Sequence, residues 1–366
     1  MRLASSAVSL DRKEGGVRMK SFFPDICGNE SLRRRIGAEF CEGSFSHAYI
    51  LEGGRGYGKH LLARQMAMAA ACENRQSKSH PLPCGICRSC RKIAADNCLD
   101  VITVSKPEGR TTMSVDTVRA LREGLATVPN DLDVKVYIIE DAHTMTKQAQ
   151  NALLLTLEEP PSFVLFLLLS EDAGALLETV RSRAPVFRLQ PLSRDAMRSY
   201  LTASPAGIAG GAPTLLQEHP EEFEALLTLS AGSIGEALTL LDSKKRAPLM
   251  QQREDTARIL RLLAAHTAQD ELFLLFRSFG ASREELNARM TTLLLALRDL
   301  TLLSRTEHAP LLFFTNREQA IELATSFTTA RLLLISCAVE ETKEALAANA
   351  NVRLALTRLQ AQLFTT

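Results

Sequence analysis

The 366-residue chain has no tryptophan, and aromatic residues make up only 5% of it. A surface that stacks single-stranded bases needs exposed rings, so that mode of nucleic-acid binding is disfavoured. Neither sign of charge is in excess: 43 Lys and Arg against 42 Asp and Glu leave a formal net charge of +1. Bulk electrostatics therefore give no case for gripping a polyanion, although a local basic patch stays open. Apolar runs such as Phe163–Leu169 fall far short of the roughly 20 residues a spanning helix needs. There is also no N-terminal apolar core followed by a small-residue cleavage site, so a cytoplasmic chain with no membrane attachment is expected. Internal repeats and long low-complexity tracts are missing too.

What is present describes a folded chain, with 46% hydrophobic and 23% charged residues. The length favours two or three domains. Met1–Lys20 has no periodicity and reads as a flexible leader, with Met1 and Met19 equally acceptable starts. From 21 to 190, short β-rich runs alternate with helical patterns, which implies a parallel sheet covered by helices. The expected strands are Ala48–Leu51, Asp100–Val104, Val134–Ile139, Phe163–Leu169 and Val186–Leu189. Helices are expected at Lys59–Cys72, Ser114–Thr127, Lys147–Glu158 and Ala173–Val180, the third ended by Pro160-Pro161.

After Pro191 the strand signal stops. Residues 191–243 read as a small helical domain, with helices at Arg194–Ala203 and Glu221–Leu229 and a third capped by Ser233 that ends near Asp242. A loop is expected at 204–213 and a linker at Lys244–Pro248. Residues 249–366 read as wholly helical, with apolar residues at three- and four-residue spacing.

Two motifs carry chemistry in the α/β part. Gly53-Gly54-Arg55-Gly56-Tyr57-Gly58-Lys59-His60 follows the first strand and opens a helix, the context of a phosphate-binding P-loop. Gly53, Gly56 and Gly58 let amides turn toward a phosphate, and Lys59 would reach its outer oxygens. A glycine-rich structural turn is the alternative. The last position wants a Ser or Thr hydroxyl for magnesium, and His60 stands there instead. Magnesium prefers oxygen ligands in a near-octahedral array, so imidazole suits it poorly. The third strand ends in Glu140-Asp141, acidic groups opposite the loop; an ATPase would hold Asp then Glu at this point. Both departures weaken hydrolysis, since the metal neutralises charge developing on the transferred phosphoryl group.

Of the eight cysteines, Cys84, Cys87 and Cys90 repeat at intervals of three. A single CxxC serves as a redox pair, but a third thiol at the same spacing favours metal, and four ligands would close a tetrahedral zinc site. Cys72 and His80 are the candidates for the fourth ligand. Cys98 falls off the spacing and reads as a core thiol. His143 reads as a surface or packing residue.

A family resemblance spans about residues 21 to 366. Phe22-Phe23-Pro24-Asp25-Ile26-Cys27-Gly28-Asn29-Glu30, Ser46-His47-Ala48-Tyr49, Asn151 to Pro161 (NALLLTLEEPP) and Asn349 to Leu356 (NANVRLAL) resemble the clamp-loader subunits of bacterial DNA polymerase III. The resemblance implies an AAA+ P-loop domain, a helical lid at 191–243 and a helical collar at 249–366 through which five subunits assemble. It implies gamma/tau and delta subunits, the sliding clamp and primer-template DNA as partners, and Cys72 as the fourth zinc ligand of a module at 72–90. His60, Glu140-Asp141 and Gly235, where the ATPase has a phosphate-sensing Arg, make the chain more similar to the delta-prime branch than to the hydrolysing gamma/tau branch. The Ser182-Arg183-Ala184 segment is similar to the family's Ser-Arg-Cys, so Arg183 is implied as an arginine finger for a neighbouring ATP site. Taken by itself, the same arginine reads as a surface ion pair.

Overall fold

The computed structural model describes residues 20–107, 109–203, 211–265, 269–279, 282–306, 308–309, 311–348 and 350–365. The proposed leader and most of the loop at 204–213 lie outside them. The described chain falls into two compact units, one of residues up to 210 together with Gly232–Leu238, the other Gly211–Ala231 with Thr239–Thr366.

The first unit is built on a parallel sheet of β1 (Ala48–Glu52), β2 (Val101–Val104), β3 (Lys135–Ile139), β4 (Val164–Ser170) and β5 (Val186–Arg188), in the order β2-β3-β4-β1-β5. Every residue of β3 and β4 is buried. Helices cover both faces, which is why these strands read as unbroken apolar runs instead of alternating ones. Alternation survives in the packing: Tyr49, Leu51, Val136 and Ile138 enter the core on one side, and Ala48, Ile50, Tyr137 and Ile139 enter the core on the other. All five expected strands are found to within one residue at either end.

The helices of this unit are α1 (Glu30–Glu42), α2 (Lys59–Ala70), α3 (Arg88–Ala94), α4 (Val115–Gly124), α5 (Lys147–Glu158), α6 (Glu178–Arg181) and α7 (Arg194–Ala203). The expected helix over Ala173–Val180 is two pieces, a 3-10 turn at Ala173–Ala175 and α6. The cause is tertiary. The Leu177 amide donates to Gln150 Oε1 at 2.7 Å instead of to the preceding turn, so the helix restarts there. Sequence reading missed α1 and α3, neither of which starts on a conventional side-chain cap. Asn29 at the head of α1 is left-handed (φ 49°) and forms no side-chain cap, while α3 is capped by the Cys87 sulfur, which accepts from the Cys90 amide.

The second unit is helical, and its core gathers Leu260, Leu286, Leu293, Leu297, Leu332, Ile335, Val339 and Leu359. The linker expected at Lys244–Pro248 is instead the opening of one continuous helix, Ser243–Ala265. Buried Arg246 accounts for the continuity. Its guanidinium donates to the carbonyls of Leu240 and Leu241 and meets Glu222, closing the end of the preceding helix while starting the next. Ala212–Glu218 is helical with Pro213 in its first turn, so the expected loop ends before 212. Among the described residues no single helix is long and apolar enough to cross a membrane.

Candidate functional site

The glycine-rich loop joins β1 to α2 at the carboxyl edge of the sheet, and Gly53 extends the ladder by donating to the Ser170 carbonyl at 3.1 Å. Gly56 (φ +73°) and Gly58 (φ +92°) take left-handed conformations that a side chain would strain. Lys59 is buried, and its ammonium donates to the loop's own carbonyls, Gly53 O at 2.6 Å and Gly54 O at 2.9 Å. Burial pulls the Lys59 amine below its ordinary value, with the Glu171 and Asp141 carboxylates opposing that shift.

The loop's next two carbonyls are taken as well. Ser233 Oγ donates to Arg55 O at 3.0 Å, and the Gly235 amide donates to Gly56 O at 3.0 Å. Ser233 also caps its helix, Ile234–Leu240, by accepting from the Glu236 amide. The helix opening therefore rests directly on the glycine-rich loop. A β-carbon on Gly235 would lie 2.8 Å from Gly56 Cα, and one on Gly56 would lie 2.2 Å from Ser233 Oγ. The first clash is with backbone, which cannot swing aside. Gly235→Ala is thus expected to lower stability by about 1–3 kcal/mol despite alanine's better helix propensity, which thermal unfolding will show as a lower Tm.

At the end of β3 each of the two acidic residues has a basic side chain beside it. His60 Nδ1 lies 3.3 Å from Glu140 Oε1, and Lys106 Nζ lies 3.0 Å from Asp141 Oδ2. Asp141 sits in a left-handed turn (φ 46°, ψ 43°) that aims its carboxylate at Lys106. Partial burial raises the Asp141 carboxyl, but the Lys106 bond and charge, helped by His143 and His60, hold it below its ordinary value. Both pairs are partly exposed, and such pairs contribute only about 0–1 kcal/mol each. Position 60 presents an imidazole to Glu140 and has no hydroxyl to offer. Lys106 escaped the sequence reading, since nothing in the chain order links the segment after β2 to the end of β3. His143 accepts the Glu171 amide at 3.2 Å, a packing role.

Arg183 follows α6 at the surface. Its Nη2 donates to Glu158 Oε1 at 2.7 Å, and its Nη1 donates to the Thr179 carbonyl at 3.0 Å. Neither contact involves the glycine-rich loop.

The cysteines converge. Cys72, Cys84, Cys87 and Cys90 are buried, and their sulfur atoms all lie within 4.8 Å of one another. A tetrahedron with metal–sulfur bonds of about 2.3 Å has edges of about 3.8 Å, and Cys84 Sγ to Cys90 Sγ measures 4.0 Å. Amide donors surround the sulfurs: Cys87 N to Cys84 Sγ and Cys90 N to Cys87 Sγ at 3.4 Å each, and Asn74 Nδ2 to Cys84 Sγ at 3.5 Å. The thiols pull one another apart in acidity. The Cys90 hydrogen bond holds Cys72 down to about 5 against burial, while Cys90 is pushed far up by Cys72 and by its own burial. Four buried sulfurs gathered at near-tetrahedral spacing fit a closed metal site. His80 is outside this group. Cys98 packs half-buried against the core, as expected for a core thiol.

Residues 28–193 match the family model described as DNA polymerase III, delta subunit. The chain is 32% identical over 224 residues to the DNA polymerase III subunit tau of Escherichia coli, an alignment covering 60% of this chain and 32% of that protein. It is 32% identical over 225 residues to the subunit gamma of Buchnera aphidicola, covering 60% of this chain and 58% of that one. This chain therefore spans less than two thirds of either relative. A solved structure of a DNA polymerase III gamma subunit-related protein from Thermotoga maritima aligns with a TM-score of 0.42 at 17% identity, covering 91% and 98% of the two chains.

Proposed function

With a delta-type DNA polymerase III domain and homology to the gamma and tau subunits as premise, we propose that this chain is a clamp-loader subunit of the delta-prime kind, which does not hydrolyse ATP itself. In this reading it assembles with gamma/tau and delta subunits through a collar at 249–366, with a lid at 191–243, and helps place the sliding clamp on primer-template DNA. The observation that carries it is the state of the phosphate site. The would-be magnesium carboxylates Glu140 and Asp141 face His60 and Lys106, and the loop carbonyls are occupied by Lys59, Ser233 and Gly235. Gly53, Gly56 and Gly58 keep the shape of a phosphate loop, while the metal-binding chemistry is gone.

The contribution to catalysis is then Arg183, presented to an adjoining protomer's ATP. A guanidinium has a fixed fork of donors that matches phosphoryl oxygens. Zinc is the metal that suits Cys72, Cys84, Cys87 and Cys90: four soft thiolates in a closed, buried set with no open position. Its role is structural, tying the end of α2 to the start of α3.

A second reading, an active ATPase of the gamma/tau class, is favoured by the curated relatives that match. The isolated chain separates the two. It is expected to show no ATP turnover above background, and Lys59→Ala is expected to change nothing. Turnover by the wild-type chain that Lys59→Ala abolishes establishes the second reading.

A further inference from the structure

Arg183 does not hang free in solvent. One terminal nitrogen donates to Glu158 Oε1 at 2.7 Å and the other to the Thr179 carbonyl at 3.0 Å. Glu158 is the last residue of α5, immediately before Glu159 and the two prolines, and Thr179 lies inside α6. These helices are fastened to each other nearby, since Gln150 of α5 accepts the Leu177 amide at 2.7 Å and donates to the Ala175 carbonyl at 3.3 Å. The guanidinium is thus held between two anchored points.

We propose that Glu158 is a positioning residue for Arg183, fixing the guanidinium so that its remaining donors face the adjoining protomer's phosphates. This rests on the reading that Arg183 acts in trans. A guanidinium has five N–H donors in one plane. Two are used here, and three remain. An unrestrained arginine has about 2 kcal/mol of side-chain entropy to lose on docking, and a misplacement of about 1 Å costs on the order of 100-fold in rate. Two fixed contacts reduce both losses.

The opposite role for Glu158 is a competitor that sequesters the arginine from phosphate. A carboxylate that captures arginine forms two parallel bonds. Here one oxygen takes one bond, and the second contact goes to a backbone carbonyl at the other nitrogen. That geometry holds the side chain without consuming it. Both side chains are substantially exposed, 35% for Arg183 and 45% for Glu158, so the pair itself adds little to stability. Its removal is therefore readable in rate without loss of the fold.

The test uses the reconstituted complex with its gamma/tau and delta partners, clamp and primed DNA, measuring ATP hydrolysis for Arg183→Ala, Glu158→Ala, Glu158→Gln and the double variant Arg183→Ala/Glu158→Ala. Glu158→Ala is expected to slow single-turnover hydrolysis at the site that Arg183 serves on the order of 10-fold, with ATP affinity, assembly on gel filtration and Tm unchanged. Glu158→Gln keeps an acceptor oxygen and is expected to recover most of that loss. In the Arg183→Ala background Glu158→Ala is expected to add nothing. A rise in rate, no change, or a further loss in that background overturns the positioning role. If Arg183→Ala is itself silent, the in-trans reading falls and takes this role with it. A strong Arg183→Ala defect beside a silent Glu158→Ala removes the positioning role alone.

Discussion

Cys84→Ser is expected to leave the purified chain without its metal and to lower its Tm by about 10 °C or more. Cys84 sits at the crowded centre of the cluster, near Cys90 and taking bonds from the Cys87 amide and the Asn74 side chain. Metal binding contributes about 10–16 kcal/mol to small zinc modules. In this chain the cluster is merged with the main core beside Leu62, Met66 and Ile93, so part of that energy is shared with ordinary packing. A few kcal/mol lost from a unit of this size corresponds to roughly 2–4 °C each. Metal analysis of the purified wild type is expected to give one zinc per chain, and a chelator is expected to reproduce the Cys84→Ser melting curve. A metal-free wild type that melts as Cys84→Ser does ends the zinc assignment.

Arg183→Ala is expected to slow ATP hydrolysis at the one neighbouring site it serves by on the order of 10³-fold, the lower end of what a finger arginine supplies. In the proposed assembly the other sites do not depend on Arg183, so the total rate falls by that one site's share. Single-turnover hydrolysis in the assembled complex resolves the affected site directly. Assembly is expected to persist, because the Glu158 pair is exposed and weak. An unchanged single-turnover profile removes the donor role and leaves Arg183 as a surface ion pair.

The strands and the cysteine spacing were legible for a local reason. β3 and β4 are buried along their whole length, so their apolar runs announce themselves, and three thiols at a fixed interval bring their own geometry with them. His60, Glu140 and Asp141 stood out as departures from a pattern, and the structure brings all three to one end of the sheet. What stayed hidden depends on contacts between distant segments. Lys106 meets Asp141 across 35 positions of chain, and Ser233 reaches Arg55 across 178. The break before α6 is written in Gln150, and the early start of the helix at Ser243 is written in the carbonyls that Arg246 closes. A lysine and a proline in a polar stretch suggested a linker; a buried guanidinium made it a helix. Glu158 was read only as part of a motif, and its partner emerged with the fold.

The apposed pair Gly56 and Gly235 also constrains how this chain can drift. Any mutation that adds a side chain at 235 places its first carbon against the backbone of the loop, so it is penalised before the rest of the side chain can do anything useful. A sensing arginine at 235 is therefore not one substitution away. It requires the loop to retreat first, and a retreated loop gives up the Ser233 and Gly235 bonds that now hold it. A β-carbon at Gly56 would in turn meet Ser233 Oγ, so neither glycine gains a side chain unless the loop and the helix opening move apart.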